Sequence, residues 1–333
     1  MSKWYQGNGN NADVVLFSKV RLARNLADAP FPSVMNDDIR KSVTKKLYAA
    51  VKSSPLAGEF DMINLADASE AQALSYAEKL LISKDFAKDR EHASFLLSKS
   101  SDMSVMLCEE DHLRINAFAA GQDLAGAYEK ANALDDIFIS TLKIAYSEKL
   151  GFLTASPMNL GTGLKASYAL HLPALARANA IYRLSAMVGK LGLSLRELFR
   201  SGAGDIYVLS NQVSLGISEQ SAMDNLTAIC DQIVRQERTA REELKQNADF
   251  EDKIYRTMGI LKTARRLDFS EFLDTLSLAR LGASLKYLEI DFATIGDMFY
   301  DLQNATLIAS AKADLTEQMC AGLRAQIIRE KLE

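Results

Sequence analysis

The sequence predicts an α+β protein, in which a region of mixed strands and helices is followed by an all-helical region. Apolar runs of strand length, bounded by turn-forming residues, recur as far as residue 216. Amphipathic segments with helical spacing lie between them. Beyond about residue 246 the pattern is helical throughout. We therefore expect two units, residues 1–245 and residues 246–333.

The strand-like segments follow the chain in order. ADVVLFSKVRLARNL (12–26) begins with an apolar run and then turns basic. Residues 93–117 are typical of a β segment, in which residues 99–102 supply a turn. LSLRELF (193–199) and DIYVLSNQVSLG (205–216) are predicted strands joined by the glycine-rich RSGAG. These segments predict a sheet built largely within the first 216 residues.

The predicted helices are amphipathic or carry terminal signals. Pro173 near the start and Gly192 at the end delimit one helix over residues 172–192. Asp268 and Glu271 form a capping box before a helix that closes on Gly282. Further helices are predicted over residues 39–51, 68–81 and 222–246. In the last of these, QERTAREEL (236–244) is predicted to be an exposed charged face with a Glu237–Arg241 pair.

Composition excludes several classes of protein. The 333 residues are 48% hydrophobic and 25% charged, which is typical of a globular chain. A net charge of −4 argues against a nucleic-acid binder driven by overall charge. Three cysteines far apart suit a reducing compartment, and three histidines make a multi-histidine metal centre improbable. The polar N-terminus and the lack of an apolar run of about 18 residues argue against secretion and membrane insertion. We expect a cytoplasmic protein with no metal-ligating side chains.

The most charged strand-like stretch is CEEDHLRIN (108–116). If it is a strand, Glu110, His112, Arg114 and Asn116 share one face. Glu110 and Arg114 would then lie about 13 Å apart, too far for an ion pair. This face is either a solvated face of an antiparallel sheet, with His112 bonded within the sheet, or a floor that binds an anion at Arg114 and a cation at Glu110. The stretch alone leaves both interpretations open.

A second polar segment, residues 151–175, contains a glycine-rich turn. Asn159, Gly161, Thr162 and Gly163 form a turn in which glycines can let backbone amides approach a phosphate. The spacing matches neither a P-loop nor a dinucleotide-binding fingerprint. On its own the turn is therefore weak evidence for a phosphate site.

Taken together, the ordered motifs resemble the ATP:guanidino phosphotransferase (phosphagen kinase) family, and within it the bacterial protein-arginine kinase branch. The matching motifs are VVLFSKVRLARNL (14–26), EEDHLRI (109–115), LTASPMNLGTGLKAS (153–167), HLPAL (171–175), LSNQVSLGISEQ (209–220), QERTAREEL (236–244), YRTMGIL (255–261) and LARLGASL (278–285). The resemblance implies an antiparallel sheet flanked by helices, with a small helical N-terminal part and a C-terminal helical domain. It also implies phosphoryl transfer from ATP and Mg²⁺ to a guanidinium group, most simply that of protein arginine.

The resemblance assigns roles to individual residues. It implies nucleotide binding by Ser18, Lys19, Arg21, Arg114, Lys165 and Arg196, and a phosphate loop of Asn159, Gly161, Thr162 and Gly163. It implies that Glu110 orients the guanidinium, that Asp111 helps to hold the site, and that Ser156 occupies the position of a family cysteine. Arg324 matches a phosphoarginine-binding residue of the C-terminal domain. The implied partners are an arginine-bearing protein substrate, a zinc-finger activator protein and a second copy of the chain.

Several positions depart from the family pattern. Lys19 and Lys165 stand where the family has arginine, which keeps the charge and loses the bidentate fork. Leu80 replaces a histidine, and the loop after Arg196 is short and lacks a second guanidinium-binding glutamate. Cys320 and Ala321 replace an Arg-Asp pair ahead of Arg324. These departures keep open an alternative, a catalytically impaired relative that binds nucleotide or phosphoarginine and regulates a protein-quality-control partner. A structural protein without a nucleotide site is the third and weakest interpretation.

Overall fold

A computed structural model describes residues 3–6, 9–199 and 202–333. These residues form an eight-stranded antiparallel sheet with flanking helices and a helical C-terminal part, which confirms the predicted α+β class. Arg200 and Ser201 of the predicted joining loop lie outside the described residues, as do positions 1, 2, 7 and 8 of the predicted N-terminal segment. Within the described ranges, no helix combines the length and the apolar character needed to span a membrane.

The strands and helices are numbered along the chain. The strands are Val15–Arg24 (β1), Phe60–Asn64 (β2), Ser94–Ser98 (β3), Met103–Leu107 (β4), Leu113–Ala120 (β5), Tyr146–Ser147 (β6), Gly151–Phe152 (β7), Leu164–His171 (β8), Leu193–Glu197 (β9) and Ile206–Asn211 (β10). The helices are Asp37–Lys52 (α1), Glu70–Glu78 (α2), Lys84–Lys88 (α3), Leu124–Thr141 (α4), Pro173–Arg177 (α5), Ile181–Lys190 (α6), Glu219–Leu244 (α7), Ala248–Thr263 (α8), Phe269–Ser284 (α9), Phe292–Asp301 (α10), Asn304–Ala311 (α11) and Glu317–Leu332 (α12).

The two faces of the sheet differ in polarity. The strand order is β2-β3-β4-β5-β1-β8-β10-β9, so β1 lies between β5 and β8. Val20 and Leu22 of β1 are fully buried in the main hydrophobic core, and α4 and α7 pack near that face. Because side chains alternate along a strand, Lys19 and Arg21 point to the opposite face. The apolar face thus anchors the sheet and leaves the other face available for polar side chains.

The C-terminal helices cover one end of this polar face. Phe17 and Phe118, which lie on the same face as Lys19, belong to a second core with α9 and α10. Trp4 stacks on Phe118 with 5.0 Å between the ring centroids. The predicted boundary at residue 245 falls between α7 and α8, and it stays a prediction. The helical part therefore borders the region where the cations lie.

The predicted helix over residues 172–192 is wrong in its continuity, since the segment forms two helices, α5 and α6. Asn179 has a φ of 52°, in the left-handed region that interrupts a helix. Gly192 has a φ of 72° and follows α6, as expected for a terminating glycine. The predicted cap of α9 is present, because Glu271 N donates to Asp268 Oδ1 at 2.8 Å. That helix continues two residues past Gly282, to Ser284.

The charged half of α7 is only partly exposed. Glu237 and Arg241 form the predicted ion pair, but both side chains are buried, so the predicted exposed face is wrong at these two positions. His171 is also fully buried, and its Nε2 lies 2.9 Å from Ser277 Oγ of α9. The charges of this region hold β8, α7 and α9 together.

Candidate active site

Cations from three neighbouring strands meet on the polar face of the sheet. Arg21 of β1 lies opposite Asn116 of β5 on one side and opposite Lys165 of β8 on the other. Residues that oppose one another across a sheet share a face. Lys19 and Arg114 therefore occupy the same face as Arg21. The registers of β8, β10 and β9 also place Arg196 on this face, where its side chain is exposed.

The crowding of cations on this half-buried face lowers the pKa of two of its lysines. Burial, followed by the charges of Arg21 and Arg114, lowers the pKa of Lys19 to about 7. Burial, followed by the charges of Arg21 and Arg196, lowers the pKa of Lys165 to about 8. Arg21 is half-buried, and its Nε is shielded from water without a hydrogen-bond partner. An anion bound on this face would relieve the repulsion, so the face is electrostatically prepared for a polyanion.

The acids of the CEEDHLRIN stretch lie in a turn and not in a strand. Residues 108–112 form the connection between β4 and β5, and Cys108 has a φ of 55°. The turn folds Glu109 and Glu110 back over Arg114, and both carboxylates form ion pairs with its guanidinium. The predicted separation of about 13 Å between Glu110 and Arg114 is therefore wrong, because it assumed an extended chain.

The two glutamates differ in accessibility. The side chain of Glu110 is 45% exposed, whereas that of Glu109 is 17% exposed. Glu109 also accepts a hydrogen bond from Ser83 Oγ at 3.1 Å. Glu110 can therefore meet an incoming ligand, while Glu109 is positioned to keep Arg114 paired. No role was predicted for Glu109, although it stands next to Glu110 in the sequence.

Asp111 connects the turn to the glycine-rich segment. Its side chain is fully buried, and its Oδ1 accepts from Asn25 Nδ2 at 2.7 Å and from Ala155 N at 2.8 Å. Burial raises the pKa of this carboxyl group. The contact with Ala155 brings the neighbouring Ser156 close to the acidic turn. Asp111 is placed to hold the two loops together, as expected of an acid that supports the site.

His112 has a structural environment. Its Nδ1 accepts from Leu26 N at 3.0 Å, and its Nε2 lies 2.9 Å from the carbonyl oxygen of Pro30. The ring is fully buried, and burial lowers its pKa. These contacts use both ring nitrogens within the protein, so the interpretation of His112 as a hydrogen-bonding residue of the sheet region fits the geometry.

The glycine-rich turn is fixed to the protein backbone. Gly161 has a φ of 100°, and a Cβ atom there would lie 2.2 Å from Ser214 O. Thr162 N donates to the same oxygen at 3.0 Å, and a Cβ on Gly163 would lie 2.6 Å from Ala23 O. The glycines are thus required for close backbone packing. Asn159 faces the cations, since its Oδ1 accepts from Arg21 Nη2 at 3.2 Å.

Three of the predicted site residues have other surroundings. Ser18 lies on the opposite face of β1 from Lys19, where its hydroxyl donates to Gly121 O and accepts from Asp123 N, so its side chain is not placed to bind nucleotide. Ser156 lies in a turn and begins the short helical turn Pro157–Asn159. Arg324 is 1% exposed and donates to Leu267 O, Leu302 O and Asn304 Oδ1. Its geometry therefore gives no support to a phosphoarginine-binding role.

The backbone of Leu80 and Leu81 also contributes to the site. Lys19 Nζ donates to Leu80 O at 3.1 Å, while Ser104 Oγ and Asn116 Nδ2 donate to Leu81 O. Leu80 has a φ of 63°, which turns the chain toward the sheet. No side-chain pattern predicts a role for these carbonyl groups. Within the described ranges, no group of three or more acidic, histidine or cysteine side chains is arranged to hold a metal ion.

Comparison with known proteins agrees with this arrangement. The sequence model of the ATP:guanido phosphotransferase C-terminal catalytic domain matches residues 42–240, and that of the protein-arginine kinase McsB C-terminal domain matches residues 247–333. The chain belongs to the ATP:guanido phosphotransferase family. The predicted resemblance to this family, and to its protein-arginine kinase branch, is thereby confirmed.

Similar proteins cover the whole chain. It is 36% identical to the protein-arginine kinase of Clostridium novyi, over all of this chain and 99% of that protein. It is 35% identical to the protein-arginine kinase of Geobacillus stearothermophilus, over all of this chain and 94% of that protein. These relatives extend the similarity to the helical C-terminal part.

Solved structures share the fold. The duplicated taurocyamine kinase of Schistosoma mansoni with bound transition-state analogue components superposes with a TM-score of 0.62 at 24% identity. That match covers 71% of this chain and 34% of the duplicated chain. Lombricine kinase superposes with a TM-score of 0.59 at 20% identity, over 71% of this chain and 69% of the other. At these identities the likeness concerns the fold alone.

Proposed function

We propose that this protein transfers the γ-phosphoryl group of ATP to arginine side chains of proteins. The observation that carries the proposal is the position of Glu110, an accessible carboxylate at the edge of a row of mostly half-buried cations. A triphosphate needs cations that neutralise its charge, and a guanidinium acceptor needs a carboxylate that orients it. The polar face offers both within one surface, and the relatives named protein-arginine kinase suggest the acceptor.

The roles of the residues follow from this geometry. Arg21, Arg114 and Lys165 would bind the phosphate oxygens, with Arg196 at the exposed edge. Glu110 would give up its ion pair with Arg114, which stays paired with Glu109. The freed carboxylate of Glu110 would then orient the acceptor guanidinium. The acceptor nitrogen attacks the γ-phosphorus and forms the P–N bond, while the P–O bond to ADP breaks. Glu110 receives the proton that leaves the nitrogen.

The proposal includes Mg²⁺ and partners. Mg²⁺ binds few protein carboxylates and commonly reaches phosphoryl-transfer sites on the nucleotide, so it would be held by triphosphate oxygens. We further propose that residues 1–245 form the catalytic unit, that residues 246–333 form a helical domain, and that the protein acts in the cytoplasm as a homodimer with a zinc-finger activator. Support comes from the matched family segments and from the family resemblance.

The test is phosphorylation of an arginine-rich protein with ATP and Mg²⁺. We expect phosphate that is stable to base and labile to acid, as a P–N bond requires. Glu110→Gln should abolish it without preventing nucleotide binding, because the amide keeps the shape and loses the charge. Nucleotide binding with no phosphorylated product in the unmodified protein would contradict the proposal.

A regulatory binding module is the second candidate. Ser156 carries a hydroxyl that stays neutral near neutral pH, and Glu110 is already paired with a guanidinium of the same chain. Both observations favour binding without turnover. Calorimetry with ATP and Mg²⁺, combined with the phosphorylation assay, separates the two candidates, since tight binding without product supports the module.

A further inference from the structure

A cleft between α2 and the C-terminal helices borders the candidate active site. It has a volume of about 600 Å³, and its walls come from α2, the segment after β9, and α10, α11 and the start of α12. Leu80 and Lys84 line this cleft. Leu80 O also accepts from Lys19 Nζ, and Ser83 Oγ donates to Glu109. Residues 80–84 are therefore a wall shared by the cleft and the active site.

The floor of the cleft is apolar. Leu74, Leu198, Phe199 and Ile308 are partly buried and line it together with the buried Phe299. The two phenylalanine rings make an edge contact with centroids 5.9 Å apart. Partly exposed apolar side chains that share one concavity form a surface on which another apolar group can be buried. The floor is suited to aliphatic side chains of a bound segment.

The rim of the cleft is acidic. Glu70, Asp314 and Glu317 are exposed, and Lys84 is the cation among the residues that line the cleft. Glu78 also lines it, but its carboxylate is occupied at the N-terminus of α11, where Ala305 N and Thr306 N donate to it at 2.9 and 2.7 Å. The free rim charges therefore favour a cationic ligand and oppose a phosphate.

We propose that this cleft binds the polypeptide around the acceptor arginine, and that it selects segments carrying both basic and apolar side chains. The inference rests on the proposed function and names its substrate class. The acidic rim matches the basic residues, and the floor matches the apolar ones. Residues 80–84 put the cleft beside the acidic turn that carries Glu110. Phosphorylation converts a cationic arginine into an anionic group, so the product is bound more weakly than the substrate.

The test measures binding in the absence of ATP. The probe is a fluorescently labelled peptide with one central arginine, two lysines and two leucines, titrated with the full chain and followed by anisotropy. We expect binding that weakens at high salt, and at least tenfold weaker binding when the lysines are replaced by glutamate or the leucines by serine. Equal binding of the acidic peptide would overturn the proposal.

Matched variants locate the binding site. Asp314→Lys with Glu317→Lys should weaken binding at least tenfold, whereas Glu289→Lys with Glu333→Lys changes the net charge equally at exposed positions outside the cleft and should bind as the unmodified protein does. Glu317 lies in the first turn of α12, where an acid favours the helix. Asp314→Asn with Glu317→Gln, checked by thermal unfolding, therefore provides a milder variant, expected to weaken binding about threefold.

The outcomes separate the cleft from the proposed function. A peptide that binds in the cleft and is never phosphorylated contradicts the proposed function and supports the proposal that the cleft binds peptide. Phosphorylation of the peptide with an unchanged KM in both cleft variants contradicts peptide binding by the cleft and supports the proposed function. A change in oligomeric state caused by the cleft variants would assign the surface to a second copy of the chain and would also overturn the inference.

Discussion

Glu237 and Arg241 form a fully buried ion pair one turn apart on α7, with 2.8 Å between Glu237 Oε1 and Arg241 Nε. Glu237 also accepts from Ala174 N and Leu175 N at the start of α5. Arg241 donates to His171 O at 3.0 Å, at the end of β8. Two charges that are shielded from water must be compensated by partners, and this pair is compensated by backbone groups of two other elements, α5 and β8.

Removing one member of this pair should destabilise the protein strongly. Arg241→Met leaves Glu237 buried without its cation, which costs about 3–5 kcal/mol when a buried pair is broken. Denaturant unfolding measures the loss in the free energy of unfolding. Glu242→Ala is the matched control, because Glu242 is the next residue of the same helix and is exposed. An equal effect of the two substitutions would show that the buried pair has no special role.

The pKa of Lys19 predicts that nucleotide affinity depends on pH. In the free protein this group, with a pKa of about 7, is largely neutral above pH 7. A triphosphate favours the charged form, so binding at pH 8 takes up a proton and the affinity falls as the pH rises above 7. Calorimetry in buffers of different ionisation enthalpy measures the proton uptake.

Lys19→Arg is the control for this dependence. Arginine stays protonated over this range, so the variant should take up less than half the protons at pH 8 and bind ATP more tightly there. Lys165, with a pKa of about 8, accounts for the remaining dependence. Proton uptake that is the same in both proteins would contradict the assignment to Lys19.

Glycines in the turn and in a helix should respond differently to substitution by alanine. Gly161→Ala should lower the free energy of unfolding by about 1–3 kcal/mol, because its φ is positive and a Cβ would overlap Ser214 O. Gly259→Ala should raise it by about 0.5–1 kcal/mol, because Gly259 lies within α8 and a Cβ there meets nothing within 4 Å. Thermal unfolding of the two variants gives the comparison, and shifts of the same sign would refute it.

Much of the fold could be predicted from local signals. Apolar runs of strand length located β1 and β10, and the capping box located the start of α9. Local patterns could not show that α5 and α6 are separate, because the break depends on Asn179, a residue type that adopts helical and left-handed conformations. Nor could they show the burial of Glu237, whose backbone partners at the start of α5 are more than 60 residues away.

The candidate site was predictable in its residue types and less so in its geometry. The motifs identified Glu110, Arg114 and Arg21, and these side chains lie in one region of the protein. The turn at residues 108–112 was missed because the alternation of polar and apolar residues over 112–116, most of which lie in β5, was extended back to Glu110. The role of the Leu80 carbonyl had no side-chain signature, since any residue supplies a carbonyl oxygen.

Ser156 is the position at which we expect one substitution to raise the activity. Asp111 binds Ala155 N, so residue 156 lies next to the turn that carries Glu110. A thiol can ionise near neutral pH and a hydroxyl cannot, so Ser156→Cys would place a negative charge beside the acceptor guanidinium. We expect turnover to rise about tenfold, which is less than the roughly 100-fold or more that a positioned acid–base group contributes, and to rise further with pH as the thiol ionises. Ser156→Ala tests whether size alone matters, and it should leave turnover close to that of the unmodified protein. The turnover of all three proteins is measured by steady-state phosphorylation of protein arginine at several pH values. Equal turnover of the cysteine and alanine variants would show that charge at residue 156 does not limit the reaction.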